Sequence, residues 1–370
     1  MRNKRLILFA LIFLLSMYTV RYINIVKASD TTEFNIKNGV LLKYNGTDRE
    51  VIIPEGVSII EVEAFYRNKT IEKVVIPEGV IEIKDYAFYN CENLSVIEFP
   101  KSLAKLCYMS LVGTKWLEIQ REHDPYVVVN GILYDAQMVK GDVIIPSNVT
   151  KIGEMAFSGI QNLKSAYIPK GVKVIEREAF AGSSIEKVVM EDTVLELGEA
   201  AFYQCGLLKD VQLSDNIKIL QGDTFSKCKS LVQITLPKKL KEISWDFWYC
   251  KKLKSITVPN SLTKISDRSF VGCNSKLALY CPSNDYIKKN AKNCNYHYED
   301  LKLNKTKLVL SRKETEKLVL NSGASCKWKS SNPKIAKVSR SGKVTALKKG
   351  KTVITANLYG KEYKCNVIVK

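Results

Sequence analysis

The chain has 370 residues, of which 46% are hydrophobic and 26% charged, proportions that exclude a mostly disordered polymer. Its formal charge of +19 is uneven: +5 over residues 1–28, −1 over 29–300 and +15 over 301–370. The basicity therefore does not mark the whole chain as a nucleic-acid binder, and with only two histidines, His123 and His297, a His-rich metal site is excluded.

Met1-Arg2-Asn3-Lys4-Arg5 is a basic opening, and Leu6 to Val20 is an apolar run too short for a bilayer, which needs roughly 20 residues. Val26-Lys27-Ala28 supplies small or apolar residues at the −3 and −1 positions of a cleavage site. Residues 1–28 are expected to be a secretory signal peptide, and the mature protein to be soluble, outside the cytoplasm and without a transmembrane span.

From there to residue 300 the chain repeats itself. Pro54, Pro77, Pro100, Pro146, Pro169, Pro237 and Pro259 fall 23, 23, 46, 23, 68 and 22 residues apart. Glu191 and Ser214 stand in for proline inside the longest gap. Eleven residues after the proline comes an aromatic, as at Phe65, Phe88, Phe157, Phe180, Phe202, Phe225 and Phe270. Phe247 comes one residue early, and Leu111 is the aliphatic replacement. A segment such as Leu208-Lys209-Asp210-Val211-Gln212-Leu213 alternates apolar and polar, the signature of a short strand with one buried face. No single unit can cover its apolar side, so the units must stack.

The phrase Ile-Pro-x-x-Val-x-x-Ile-x-x-x-Ala-Phe-x-x-Cys-x-x-Leu, best kept from Ile76 to Leu94 and from Ile168 to Phe180, resembles the BspA-like (Treponema pallidum-type) bacterial leucine-rich repeats. The resemblance covers roughly 36–300 and implies a mainly β solenoid of about 23-residue coils. The site of the asparagine ladder in common leucine-rich repeats holds Val80, Val172, Ile217 and Leu240, so no such ladder is expected.

Two Asn-Gly pairs, Asn38-Gly39 and Asn130-Gly131, each lie between β-type runs and predict hairpins. The first would cap the solenoid over 31–53. The second, introduced by a short helix Trp116–His123, would interrupt it over 116–145. At the far end the pattern fades into a helical stretch, Ser283 to Lys292, within a cap at 282–300.

Residues 301–370 lose the repeat. Six or seven short strands separated by Asn-Ser-Gly, Ser-Ser-Asn-Pro and Ser-Gly-Lys turns predict a small β-sandwich. Trp328-Lys329-Ser330-Ser331-Asn332, then Ile335-Ala336-Lys337-Val338 and Gly342-Lys343-Val344-Thr345-Ala346, resemble a bacterial immunoglobulin-like domain of group 2. That resemblance implies a spacer or presenter module of cell-surface proteins, with Trp328 in its core.

Ten cysteines in an exported chain raise the question of disulfides. Cys91, Cys205, Cys228, Cys250 and Cys273 each follow the repeat aromatic by three residues, so stacking would point their thiols in parallel into the core. They are expected to stay reduced and act as small hydrophobes. Cys281 with Cys294, and Cys326 with Cys365, either close a bridge or remain free. Without a Cys-x-x-Cys pair, zinc is not expected. Cys107 or Cys294 could meet His123 or His297 only by chance, and recurring carboxylates such as Glu61, Glu63, Glu82 and Asp85 suit solvated loops. No nucleophile elbow, P-loop or His-Glu-x-x-His motif is present, so neither catalysis nor a cofactor or metal is expected.

Two surfaces remain as binding candidates. One is the outward strand face of the coils: Lys73, Glu98, Tyr167, Lys187, Asp210, Gln212, Gln233, Thr235, Ser255 and Thr257, of mixed charge and suited to an extracellular protein or glycan. The other is the basic sandwich, where Lys327, Lys329, Lys343, Lys348, Lys349 and Lys351 would contact a polyanion such as a cell-wall polymer. Its eighteen basic residues include only two arginines, which argues against sequence-specific nucleic-acid readout. The expected function is a secreted or cell-surface, non-enzymatic binding and adhesion protein of a Gram-positive bacterium, its solenoid recognising an extracellular protein or glycan and its lysine-rich sandwich retaining it at an anionic surface. A structural spacer of the envelope and a freely released binder of host polyanions are the alternatives.

Overall fold

The computed structural model describes residues 33–370 apart from Ser283 and residues 291–295; residues 1–28, where a signal peptide is expected, and Cys294 lie outside the described residues. The fold is mainly β, coils of about 23 residues followed by a small sandwich, and it divides between Asp124 and Pro125 into two compact units.

The first unit begins with a hairpin. Asn38 and Gly39 both take positive φ (52° and 74°), the mirror-image turn whose twist matches the strands it joins, and Phe34–Lys37 folds back on Val40–Tyr44. Two parallel ladders follow, one of which continues directly from Val40–Tyr44. Glu50–Ile52, Lys73–Val75 and Val96–Glu98 form one, with Val51, Val74 and Ile97 in register. The two-residue strands Ile59–Ile60, Glu82–Ile83 and Lys105–Leu106 form the other. A helix, Lys115–His123, ends the unit; Thr114 caps it by accepting from the Leu117 amide.

The second unit repeats the plan. Asn130-Gly131 turns Val127–Val129 onto Ile132–Asp135, and one ladder runs through Lys151–Ile152, Val174–Ile175 and Glu196–Leu197. The other contains Gly141–Ile144, Leu163–Ile168, Lys187–Met190 and Asp210–Gln212, then resumes with Gln233–Thr235, Ser255–Thr257, Ala278–Cys281 and His297–Asp300. A six-residue helix, Asp285–Asn290, lies before the last of these strands; Ile287 is buried and the Ile265 amide donates to the Tyr286 hydroxyl at 2.9 Å. Val172, Ile217 and Leu240 are fully buried where an asparagine ladder would run.

What welds coil to coil is the aromatic side. Phe65 stacks on Phe88 at 4.7 Å in the first unit. In the second, Phe157, Phe180, Phe202, Phe225, Phe247 and Phe270 stack in sequence, their centroid spacing widening from 4.7 to 6.1 Å. Around each ring the backbone is tightly wound: the residues two before and two after Phe202, Ala200 and Gln204, both take positive φ, as do Asp223 and Lys227 around Phe225. Left-handed non-glycine residues cost about 1–2 kcal/mol each. The recurrent inter-coil bonds offset it, with the Phe180, Phe202 and Phe225 amides donating to the next coil at 2.8–2.9 Å.

The repeat thiols are free, and they do more than fill space. Each donates to the carbonyl of the preceding coil's aromatic: Cys91 to Phe65 at 3.1 Å, Cys205 to Phe180 at 3.0 Å, Cys228 to Phe202 at 3.2 Å, Cys250 to Phe225 at 3.0 Å and Cys273 to Phe247 at 3.0 Å. The expectation of simple small hydrophobes therefore missed a hydrogen-bond ladder. Burial pushes the Cys91 and Cys205 thiols up to about 12. Only Cys273 among the repeat thiols is held below the ordinary thiol value, through its interaction with the Cys250 side chain, against the burial that opposes it.

The sandwich packs a sheet of Lys307–Leu310, Lys361–Val369, Gly350–Leu358 and Lys327–Ser330 against one of Thr315–Lys317, Lys343–Ala346 and Ala336–Val338. Ile354, Ala356, Cys365 and Val367 face Leu318, Ala336, Val344 and Ala346 in its core. Trp328 is half-buried at the core's edge, against Gly342. Cys326 and Cys365 are free. Cys365 pairs with Ile354, whereas Cys326 lies one strand farther and beyond the Lys327–Asn357 pair. That is roughly 13 Å along the strands at about 3.3 Å per residue, outside disulfide reach.

Candidate functional site

The strand face is built by period-two alternation: Ala166, Val188 and Ile234 point inward and are buried, so their neighbours point out. In the first unit Lys73 and Glu98 sit on adjacent strands and pair with each other at 2.7 Å, beside the exposed apolar Ile52 and Val96.

In the second unit the register sorts the face into two rows. Asp142, Ser165, Lys187 and Asp210 align in one; Ile144, Tyr167, Val189 and Gln212 align in the other. The first row is satisfied within itself, since Ser165 Oγ donates to Asp142 at 2.5 Å and Lys187 pairs with Asp210 at 3.2 Å. The second is largely apolar: Ile144 is 68% and Tyr167 38% exposed, and the Tyr167 hydroxyl donates to Glu191 at 2.8 Å. That bond raises the Tyr167 phenol above its ordinary value, so it stays protonated and bound to the rim. Ile144 and Val189 escaped the sequence reading because it sought polar side chains; their place in the strand alternation was the available signal.

The remaining four residues lie against the sandwich, and Gln233 alone among them stays exposed. Thr257 is 1% exposed, and Thr235 and Ser255 are half-buried. The sandwich covers them. Gln233 Nε2 donates to the Gly323 carbonyl at 3.2 Å and Ser255 Oγ to the Ser322 carbonyl at 2.8 Å. Tyr359 sends its hydroxyl to the carbonyls of Leu236 (2.6 Å) and Thr257 (3.2 Å), where burial pushes its pKa well above the usual phenol value. Lys361 Nζ reaches the Pro282 carbonyl at 2.5 Å. Gly323, at φ +76°, lies so close that a Cβ would strike the Gln233 amide. Gln233, Thr235, Ser255 and Thr257 are thus an intramolecular seat, and the open strand face of this unit ends at Asp210–Gln212. The Ser322-Gly323 turn and Tyr359 carried no sign of this in the sequence.

The six sandwich lysines are all exposed, but they do not converge. Lys327, Lys329 and Lys351 lie on the outer face of the four-stranded sheet, joined there by Lys307 and Lys364. Lys343 projects from the opposite sheet, directly across from Lys317, and Lys348 and Lys349 occupy the loop before Gly350–Leu358. On the four-stranded face Lys364 pairs with Glu362 at 3.2 Å. Neither histidine forms a nucleophilic pair that the described residues display: His123 bonds the Ile119 carbonyl at 2.7 Å, and His297 is exposed on its strand. No helix among the described residues is long and apolar enough to cross a membrane.

Against family models, residues 43–121, 134–246 and 173–302 match the BspA-type leucine-rich repeat region in six copies, and residues 303–358 match the group 2 bacterial Ig-like domain. The chain belongs to the BspA-type leucine-rich-repeat family. In this protein the BspA-type coils precede the Ig-like domain, and both modules are of non-catalytic, binding and adhesion type. Among solved structures, it is similar to a leucine-rich repeat protein of Bacteroides ovatus, with 25% identity over 70% of this chain and 67% of that one (TM-score 0.40). A leucine-rich cell surface protein of Faecalibacterium prausnitzii shares 20% identity over 71% and 94% (TM-score 0.26). The leucine-rich repeat protein of T. pallidum shares 20% over 73% and 97% (TM-score 0.25). No curated protein gives a significant match.

Proposed function

We propose that this BspA-type protein is an exported bacterial binding protein whose Ig-like domain holds it at an anionic surface while its coils present a ligand face. The observation that carries the reading is the outer face of the four-stranded sheet, where Lys307, Lys327, Lys329, Lys351 and Lys364 share a surface with the single acid Glu362. Lysines are strongly hydrated point charges, suited to a flexible polyanion read by charge rather than by shape. A teichoic-acid-bearing Gram-positive wall is the surface proposed first, and the coils are assigned to the Treponema pallidum-type subclass on their Ile-Pro to Phe phrase. The ligand face is the Ile144–Tyr167–Val189–Gln212 row with its polar neighbour row, suited to an extracellular protein or glycan.

The test is binding of the full chain to isolated Gram-positive walls across a salt titration, beside the Lys327→Gln/Lys329→Gln/Lys351→Gln variant. The wild type should bind at low salt and be released as salt rises, and the variant should bind more weakly with a shallower salt dependence. Equal binding by both proteins, or none at low salt, would remove wall retention.

A further inference from the structure

On the aromatic side of the coils, away from the strand rows, a groove of about 690 Å³ runs from the coil of Phe180 to that of Phe270. Its origin is a size mismatch between repeat positions. The residue two before the ring is Glu178, Ala200, Asp223 and Trp245 in successive coils, so Ala200 leaves a depression between longer neighbours. The residue after the ring is Tyr203, Ser226 and Trp248, so two large rings flank a small gap.

The walls are held before any ligand arrives. Lys227 Nζ fills the gap, 4.8 Å from the Tyr203 ring centre and 5.3 Å from that of Trp248. Arg268 lies over Trp245 at 5.9 Å. The Trp245 backbone is fixed by Ser226 Oγ, which donates to its carbonyl at 2.7 Å, and by buried Asp246, which accepts from the Ser244 amide at 2.8 Å. Trp245 itself stays 51% exposed. A site ordered in advance spends less of its interaction energy on ordering when it binds.

The chemistry of the walls selects the ligand. An exposed indole face asks for a flat apolar surface, while Glu178, Glu199 and Asp223 supply hydrogen-bond acceptors and Arg268 a donor. A pyranose ring presents both, C–H bonds on its face and hydroxyls on its rim. Three carboxylates repel a polyanion, and Lys227, whose ammonium donates to the Tyr203 hydroxyl and lies 5.3 Å from the Trp248 ring centre, already puts a positive charge between the two rings. Tyr203 and Trp248 are two coils apart, about 10 Å at the strand spacing, so the groove is long enough for more than one linked sugar ring. We infer that this groove is a binding site for a neutral oligosaccharide of linked pyranose units. The site is separate from both surfaces assigned above and stands without them.

The full chain is titrated calorimetrically with cellohexaose, chitohexaose, maltohexaose, hexalysine and a heparin hexasaccharide. The expected result is saturable binding of at least one of the three neutral sugars, unchanged in about 0.5 M NaCl, where charge interactions are screened. Trp245→Ala should weaken it at least about tenfold, and Ala200→Trp, which fills the depression, should abolish it. Both variants should keep the wild-type melting temperature, and Tyr167→Ala on the strand face should leave sugar binding unchanged. Three results overturn the inference: no binding of any neutral sugar at millimolar concentration, binding retained in both groove variants, or binding of hexalysine or heparin alone.

Discussion

Two successive strand ladders, the stretches 141–212 and 233–281, have the same alternation and the same parallel register, yet opposite surroundings. In the first, Ile144 and Tyr167 stand open; in the second, Thr257 is sealed under Tyr359 and Ser255 is bound to Ser322. The difference teaches that a repeat prescribes which way a side chain points, and not what it meets. Beneath both stretches the rings stay stacked, and the thiol bonds run on from Cys205 although Ile160 and Ser183 hold that position in the two coils before it, so the stabilising machinery is largely shared while the outer surface is divided.

The sharpest test of that shared machinery is to remove one ring from each stretch. Phe180→Ala and Phe247→Ala are each expected to cost about 3–5 kcal/mol in urea unfolding, because each fully buried ring leaves a cavity between two stacked neighbours. A large loss at one position and a small loss at the other would break the equivalence.

The thiol ladder gives a pH signature. Cys91 and Cys205 are raised from 9.0 to about 12 by burial, so the folded state favours the neutral thiol. Above about pH 9 the unfolded chain loses these protons first, and the stability they provide declines as pH rises toward about 12. Melting temperatures measured in reducing buffer should fall over that window, and Cys205→Ala should flatten part of the fall.

Tyr359→Phe addresses the cover directly. It strips the hydroxyl bonds from the Leu236 and Thr257 carbonyls, at an expected cost of about 1–3 kcal/mol. Hydrogen exchange should quicken within 233–257 and stay unchanged within 165–212. Equal protection in wild type and variant would mean that the cover is held elsewhere. In native thiol labelling, Cys273 should react before Cys205, Cys228 and Cys250, being half-exposed and the one repeat thiol held below its usual pKa. The smallest effect belongs to the open row: Tyr167→Ala should leave the melting temperature within error, because its bond to Glu191 lies in solvent.

Much of this architecture is written locally. The 23-residue period, the ring position and the thiol three residues later identify the coil, because each coil solves the same packing problem with the same side chains. The inward and outward sense of Lys73, Tyr167, Lys187 and Asp210 follows from strand alternation alone. The charge of the sandwich is likewise a matter of composition. Contacts distant in sequence are another matter. The seat under Ser322, Gly323 and Tyr359 joins residues 67 to 123 positions apart, and nothing in Gln233-Ile234-Thr235 distinguishes it from an open strand. The split of the sandwich lysines between two faces required the strand order, and the aromatic groove required Ala200 and Tyr203 of one coil to meet Trp245 and Trp248 of another. Periodicity determines the direction of each side chain because it is a property of the backbone; its neighbours depend on how separate pieces of chain pack, which only the tertiary structure decides.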